Sequence, residues 1–352
     1  MFGLFNKKKD LIGIDIGSSS VKLVQLSPLK DSYQLLNVAV LPLPAEAIVD
    51  NTLMDTAVVV DTVKGLMNSL GIKTKEVACS ISGNSVIIRK ITLPAMTSDE
   101  LEEQISWEAE QYIPFDIKDV NIDFQILGPD ALDPGKNQVL LVASKKDIIN
   151  DYVSIFSEAG LSLCVMDVDS FAVQNTFELN TDNLEDVVAL VNVGAGVINI
   201  NVVKSAGSLF TRDVQMDGNL YTEEIQKQLG VGAQEAETLK KLASEQAAGG
   251  LSEVISRVND TLAQEIRRSV DFYNSTAGGD ERISKLVMSG GCSKMPGLRD
   301  VIKQKLGLDV DILNPFEKIQ ISDKDFDAEY IQEIAPLMAV GVGLAIRRVG
   351  DK

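Results

Sequence analysis

Two strings of one design, half a chain apart, constrain this sequence more than any other feature. The first, at 11–17, reads Leu-Ile-Gly-Ile-Asp-Ile-Gly and leads through Ser18, Ser19 and Ser20 to Lys22. The second, at 188–194, reads Val-Ala-Leu-Val-Asn-Val-Gly and leads through Ala195 and Gly196 to Asn199. Each is an apolar run, then Asp or Asn, one apolar residue, Gly, a small-residue turn and a returning run. A short apolar run bounded by such a turn reads as a buried strand, and the return makes a β-hairpin. One Gly-Ser turn is an ordinary turn. Two of them, each opening a similar unit, predict two related α/β halves facing each other across a cleft.

The chemistry of such tips is specific. Glycine and small residues let several backbone N–H groups converge on one space, which suits a phosphate. Gly17, Ser18, Ser19, Ser20 and Lys22 form one candidate cradle, and Asn192, Gly194, Ala195 and Gly196 the other. Asp15, at its strand end, is placed to hold a hydrated Mg²⁺ beside those phosphates. A third element, Gly290-Gly291 after the apolar run at 286–288, reads as strand, turn and helix start. Adjacent glycines there let a flat ring or sugar lie against the backbone.

Composition excludes several classes. Lys and Arg total 33 against 51 Asp and Glu, a formal charge of −18, so no nucleic-acid partner is expected. There is no histidine, which removes Ser-His-Asp and Cys-His catalysis and most zinc sites. Cys79, Cys164 and Cys292 match no metal spacing and read as reduced, buried thiols of a cytosolic protein. No apolar run approaches the ~20 residues a bilayer crossing needs. The tail with Phe2, Phe5, Lys7, Lys8 and Lys9 either frays or touches a membrane surface. No P-loop and no Rossmann glycine fingerprint occurs; Gly341 and Gly343 lack the third glycine.

Between the strings the pattern alternates strands and helices. Val59, Val63, Leu66 and Leu70 share one helix face, capped by Gly71. Thr97 and Glu100 fit a capping box before the stripe Leu101, Ile105, Ala109 and Ile113, with Trp107 and Tyr112 off the stripe as interface candidates. Residues 122–127 and 138–144 read as an antiparallel pair, 146–160 as a helix, 161–167 as a strand and 170–179 as a helix. The polar run 180–186 is the hinge candidate, and the acidic run 323–333 a solvated loop and helix start.

These residues together resemble the actin, sugar-kinase and heat-shock ATPase superfamily. Its two phosphate loops correspond to 14–22 and 192–196, its adenosine loop to Gly290-Gly291, and its two connecting segments to 167–172 and 336–345. Within it, the chain is similar to the FtsA-like PilM family of type IV pilus assembly proteins. The stretch Gln-Ile-Ser-Trp-Glu-Ala-Glu-Gln-Tyr-Ile-Pro-Phe-Asp at 104–116, continuing to Phe124, carries that resemblance. So do Glu265-Ile266-Arg267-Arg268 with Asp271 and Tyr273, and the run 288–294.

The resemblance implies an actin-like ATPase fold, α/β in class, with two pseudo-symmetric lobes and an FtsA-like inserted subdomain. The expected divisions are 1–78 with 169–185 for the first lobe core and 79–168 for the insert. The second lobe core takes 186–215 with 284–352, and its helical subdomain 216–283. The resemblance implies ATP and Mg²⁺ in the cleft, Asp15 as metal ligand, and Asp169 as the candidate for orienting water. Glu265 and Arg268 either reach adenosine or form a solvated helical pair. It implies that a groove beside the insert holds the cytoplasmic N-terminal peptide of PilN. It also implies a cytoplasmic location at the inner membrane, contact with other pilus inner-membrane and motor proteins, and a homo-oligomeric ring.

The family's second loop commonly carries Asp; this chain has Asn192, which hydrogen-bonds a phosphate but is no base. ATP binding with slow or absent hydrolysis is therefore expected of an ATP-gated scaffold. A small-molecule kinase and an actin-like filament former are the alternatives, distinguished by metabolite-stimulated turnover and by long polymers with ATP.

Overall fold

The computed structural model describes residues 10–351 except 50, 131, 206, 217, 247–249, 279 and 280. The basic N-terminal tail lies outside the described residues.

The first lobe opens with β1 (Ile12–Ile16), β2 (Ser20–Pro28), β3 (Tyr33–Pro42), the short pair β4 (Ile48–Val49) and β5 (Thr52–Leu53), α1 (Thr56–Ser69) and β6 (Glu76–Ile81). A separate layer follows: β7 (Val86–Pro94), α2 (Ser98–Ala109), β8 (Val120–Pro129) and β9 (Lys136–Lys145). The chain returns through α3 (Lys146–Glu158), β10 (Ser162–Val168) and α4 (Asp169–Asn180). The second lobe has β11 (Val188–Val193), β12 (Ile198–Lys204), β13 (Gly207–Val214), α5 (Asn219–Leu229), α6 (Ala233–Gln246) and α7 (Gly250–Thr276). Then come β14 (Lys285–Ser289), α8 (Leu298–Leu306), β15 (Asp309–Ile312), β16 (Ile319–Gln320), α9 (Ala328–Ile334) and α10 (Ala339–Ala345).

The duplication read in the sequence is a duplication of topology. One sheet runs β10-β6-β1-β2-β3-β16, the other β15-β14-β11-β12-β13. Five strands of each share one order: an antiparallel meander from the opening strand, and two parallel strands on its other side. Every residue of β1 and β11 is buried, as expected of central strands covered on both faces. Ile12, Ile14 and Ile16 face the cluster under α1 and α3. Ala189, Val191 and Val193 face the corresponding cluster under α5, α7 and α8. The opposite faces meet α4 and α10, which fill the space between the lobes with Ala172, Val173, Phe177, Ala339, Val340 and Leu344. Strand alternation therefore turns Asp15 and Asn192 toward the same central layer.

Close approach explains the glycines of that layer. A Cβ on Gly343 would stand 1.8 Å from the Ala172 carbonyl oxygen, and one on Gly13 2.3 Å from that of Gly341. Only glycine lets these backbones touch. The Thr176 hydroxyl donates to the Ala339 carbonyl at 2.6 Å and ties the two helices together.

The inserted layer forms as its sequence dictates. Thr97 caps α2 with the reciprocal Glu100 bonds of a capping box, which contributes about 1 kcal/mol. Leu101, Ile105 and Ala109 lie on the sheet β7-β9-β8, joined by Ile113 just past the helix. Trp107 is 67% exposed on the other side.

Two expected boundaries shift. The insert set at 79–168 is narrower, because β6 and β10 pair in the first sheet and α3 packs under it; the separate layer spans 86–145. The second-lobe assignment of 284–352 also shortens. β16 pairs with β3, and Phe316, Ile331, Ile334 and Met338 pack on Val24, Leu26 and Leu35, so the C-terminal stretch returns to the first lobe. Cys79 and Cys292 are buried as expected, whereas Cys164 is only half-buried.

Candidate functional site

The two hairpin tips line one shared cleft, of about 70 Å³ in this structure. Asp15, Ile16, Gly17, Ser18, Ser19 and Lys22 come from the first hairpin, Asn192, Gly194, Ala195, Gly196, Val197 and Asn199 from the second. Both tips close identically. The Gly17 N–H donates to the Ser20 carbonyl at 3.1 Å, and the Gly194 N–H to the Val197 carbonyl at 3.0 Å. The α5 start supports the second tip, with the Gly218 and Asn219 N–H groups donating to the Gly194 and Ala195 carbonyls. A Cβ on Gly196 would lie 2.1 Å from Ser18 Oγ, which marks how closely the two tips approach.

The same register places one polar pair behind each tip. Asp15 faces Lys22 across β1 and β2; Asn192 faces Asn199 across β11 and β12. Lys22 Nζ lies 2.8 Å from Asp15 Oδ2. Asn192 Nδ2 donates to Asn199 Oδ1 at 3.1 Å, and the Ser289 hydroxyl donates to Asn192 Oδ1 at 3.1 Å. Asn199 in turn donates to Asp213, whose carboxyl burial pushes up from the ordinary range.

Asp169, the first residue of α4, lines the same cleft and accepts a 2.6 Å bond from the Ser80 hydroxyl. Burial, then the neighbouring Asp15 charge, raises its carboxyl to about 7. Its side chain is half-buried by surface area, its open edge facing the cleft. A proton affinity raised in this way suits a group that takes or gives a proton.

The residues present fit a magnesium nucleotide. Among the described residues no three acidic or thiol groups form a metal cluster by themselves. Mg²⁺ needs no such cage, since one or two carboxylates complete a shell of phosphate oxygens and water. Asp15, with Asp169 beside it, would be this chain's share. Lys22, the two tips and Asn51 would form the phosphate side. Asn51 holds the left-handed φ of 59° that Asn tolerates, and its buried Nδ2 has no hydrogen-bond partner. A buried donor without an acceptor, in a cleft built for anions, suits a phosphate oxygen.

Other expected residues fall elsewhere. Ser20 is buried in β2 and does not line the cleft. Gly290 and Gly291 do not line it either. Gly290 instead presses on the second cradle, where a Cβ would stand 2.4 Å from the Val193 carbonyl oxygen. Glu265 and Arg268 pair with each other on α7, Arg268 largely exposed, away from the lining residues. Sequence reasoning misses Asn51, Ser80 and Ser82, which meet the cleft only through tertiary contacts, and Asp213 behind it, bonded to Asn199 and Gly83. Asn199 carries a usable signal: it follows Asn192 by the same seven residues that separate Lys22 from Asp15.

A second groove, of about 300 Å³, lies between the inserted layer and the first lobe. Its walls are β8, an edge of the inserted sheet, and β10, an edge of the first sheet, with α4 at its floor. Asp167 Oδ2 and Arg347 Nε stand 3.3 Å apart there as an ion pair without hydrogen-bond alignment, and Asn175 Nδ2 has no partner. Burial pushes the Asp167 carboxyl up, against the lowering effect of Arg347.

Comparison with known proteins agrees with this anatomy. A family model described as type IV pilus assembly protein PilM matches residues 13–349. A solved PilM–PilN type IV pilus biogenesis complex superposes with a TM-score of 0.87 at 28% identity, covering 97% of this chain and 98% of that one. The ethanolamine utilization protein EutJ from Carboxydothermus hydrogenoformans gives 0.59 at 15% identity, covering 96% and 89%. MreB5 of Spiroplasma citri, solved with ADP, gives 0.51 at 11%, covering 95% and 94%. The last two likenesses establish the actin-like fold.

Proposed function

The chain belongs to the type IV pilus assembly protein PilM family, and from that premise we propose that it is an ATP-binding scaffold that holds the N-terminal cytoplasmic peptide of PilN. The observation that carries this is the groove between two edge strands, β8 and β10. Edge strands leave unpaired backbone N–H and C=O groups, and an extended peptide can add to them as a further strand. Asp167, Asn175 and Arg347 supply side-chain acceptors and donors that a peptide would satisfy. Among the described residues no helix is long and apolar enough to cross a membrane. Attachment at the inner membrane would come through PilN, with the pilus motors as further partners and a ring as the assembled form.

In the cleft, Mg²⁺–ATP when bound supplies a triphosphate that both lobes grip. Asp15 would hold the metal, Lys22 and the tips the phosphates, and Asp169 would orient water. Among the described residues the carboxylates lining the cleft, Asp15 and Asp169, come from the first lobe, and Asn192 opposite them is no base, so hydrolysis is slow. The same arrangement disfavours a kinase. Cleft and groove share α4: Asp169 faces the cleft, while Phe171, Asn175 and Glu178 face the groove. Closure on the nucleotide thus bears on the peptide site.

Calorimetry with Mg²⁺–ATP and a synthetic PilN N-terminal peptide, each alone and together, tests the proposal. Both should bind, and Asp167→Ala should weaken the peptide about tenfold while leaving ATP binding intact. A wild-type protein that ignores the peptide removes the scaffold reading.

A further inference from the structure

Between the cleft and the inserted layer stands one carboxylate with a hydrogen bond on each side. Asp213 lies in β13, opposite Asn199 in the register of the second sheet. Its Oδ1 accepts from Asn199 Nδ2 at 2.8 Å, and its Oδ2 accepts from the Gly83 N–H at 2.5 Å. Gly83 belongs to the other lobe. It opens the single turn, Gly83–Ser85, that leads from β6 into the first strand of the insert. Its φ is +64°, and a Cβ there would stand 2.7 Å from Asn51 Nδ2, so the turn is wedged and reserved for glycine. Ser82 and Ser85 line the cleft, and the Ser85 carbonyl accepts the Ser144 hydroxyl of β9 at 2.7 Å. A hydrogen-bonded path thus runs from Asn192 in the second cradle through Asn199 and Asp213 to the root and middle strand of the insert.

We infer that Asp213 is a positioning residue that carries the state of the second phosphate cradle to the inserted layer. The inference rests on the reading of the cleft as a nucleotide site. Both ends of the Asn192 amide are engaged: Nδ2 donates to Asn199, and Oδ1 accepts from Ser289. A phosphate oxygen only accepts, so it draws on the Nδ2 protons that hold Asn199. The amide shares or turns, Asn199 follows, and Asp213 passes the displacement to Gly83 across the gap between lobes. Since β8 of the insert walls the peptide groove, the relay gives the nucleotide a second hold on that groove, separate from α4.

Hydrogen exchange on the full chain, with and without Mg²⁺–ATP, tests this. In the wild type, ATP should slow exchange in both cradle hairpins and in insert strands 86–94 and 136–145. In Asp213→Ala the cradles should still respond and the insert should not. Asp213→Asn, which keeps one acceptor oxygen, should retain part of the insert response. Asn199→Ala cuts the path one link earlier and should lose it as well, which keeps the test open if the first variant does not fold. A merely structural role would speed insert exchange equally with and without ATP and leave the ATP-dependent difference in place. A full ATP response of the insert in either folded alanine variant overturns the relay alone. Absence of any ATP response in the wild-type cradles overturns the nucleotide reading and the relay together.

Discussion

The two hairpins share a backbone and differ in charge. Each closes its tip with the same N–H to carbonyl bond, and each sets a polar pair behind it at the same register. The first pair is Lys22 with Asp15, ionised and self-contained at 2.8 Å. The second is Asn199 with Asn192, neutral and wired outward to Ser289 and Asp213. The comparison teaches that a duplicated fold can keep its phosphate geometry while dividing the labour. One cradle holds charge, and the other passes a signal.

The largest effect should come from breaking the charged side. Asp15→Ala strips Lys22 of its partner in a nearly buried position, and leaving a buried charge unpaired costs about 3–5 kcal/mol. Thermal denaturation should show that loss, and calorimetry should show Mg²⁺–ATP binding abolished. Retained binding would separate the cleft from the metal role given to Asp15. Next, Asn192→Asp would give the second cradle a carboxylate. If the neutral residue there is what keeps hydrolysis slow, phosphate release should rise by about 10²-fold, the lower range for a positioned base. An unchanged rate would mean the two cradles differ for another reason.

The smallest effect is a slope with pH. In the folded protein without ligand, Asp169 keeps its proton up to about 7, while in the unfolded chain it loses it near the ordinary Asp value of about 3.9. Its stabilising contribution is whole below that lower value and fades as pH rises through about 7. Urea unfolding of Asp169→Asn, whose amide oxygen still accepts from Ser80, should show a flatter decline between pH 5 and pH 8 than the wild type. Equal slopes would assign the decline to other groups.

Much of this was legible in the chain. The strand-end residues Asp15 and Asn192 and the small-residue tips were readable because local backbone chemistry and strand alternation suffice to define them. The capping box of Thr97 and Glu100 was readable for the same reason. The insert's edges were not, because β6 and β10 read as strands whichever sheet they join, and pairing is a non-local choice. The return of the C-terminal stretch was hidden too, since β16 is a two-residue strand that carries no periodic pattern. Asn51 and Asp213 sit in ordinary polar surroundings in sequence, and only the closing of two lobes gives them partners. The Gly290-Gly291 pair was read as a turn against which a flat ring or sugar could lie; what approaches Gly290 in the fold is the Val193 backbone.

The glycine crossing of α4 and α10 has a mechanical consequence. With no side chain between the Gly343 and Ala172 backbones, the two rods lie at contact and have no room to slide past each other. What such a crossing does permit is rotation about the touching point, as in the blades of a pair of scissors. Any change in the angle between the lobes would therefore turn about this crossing, and a small turn there would be a long sweep at the tips.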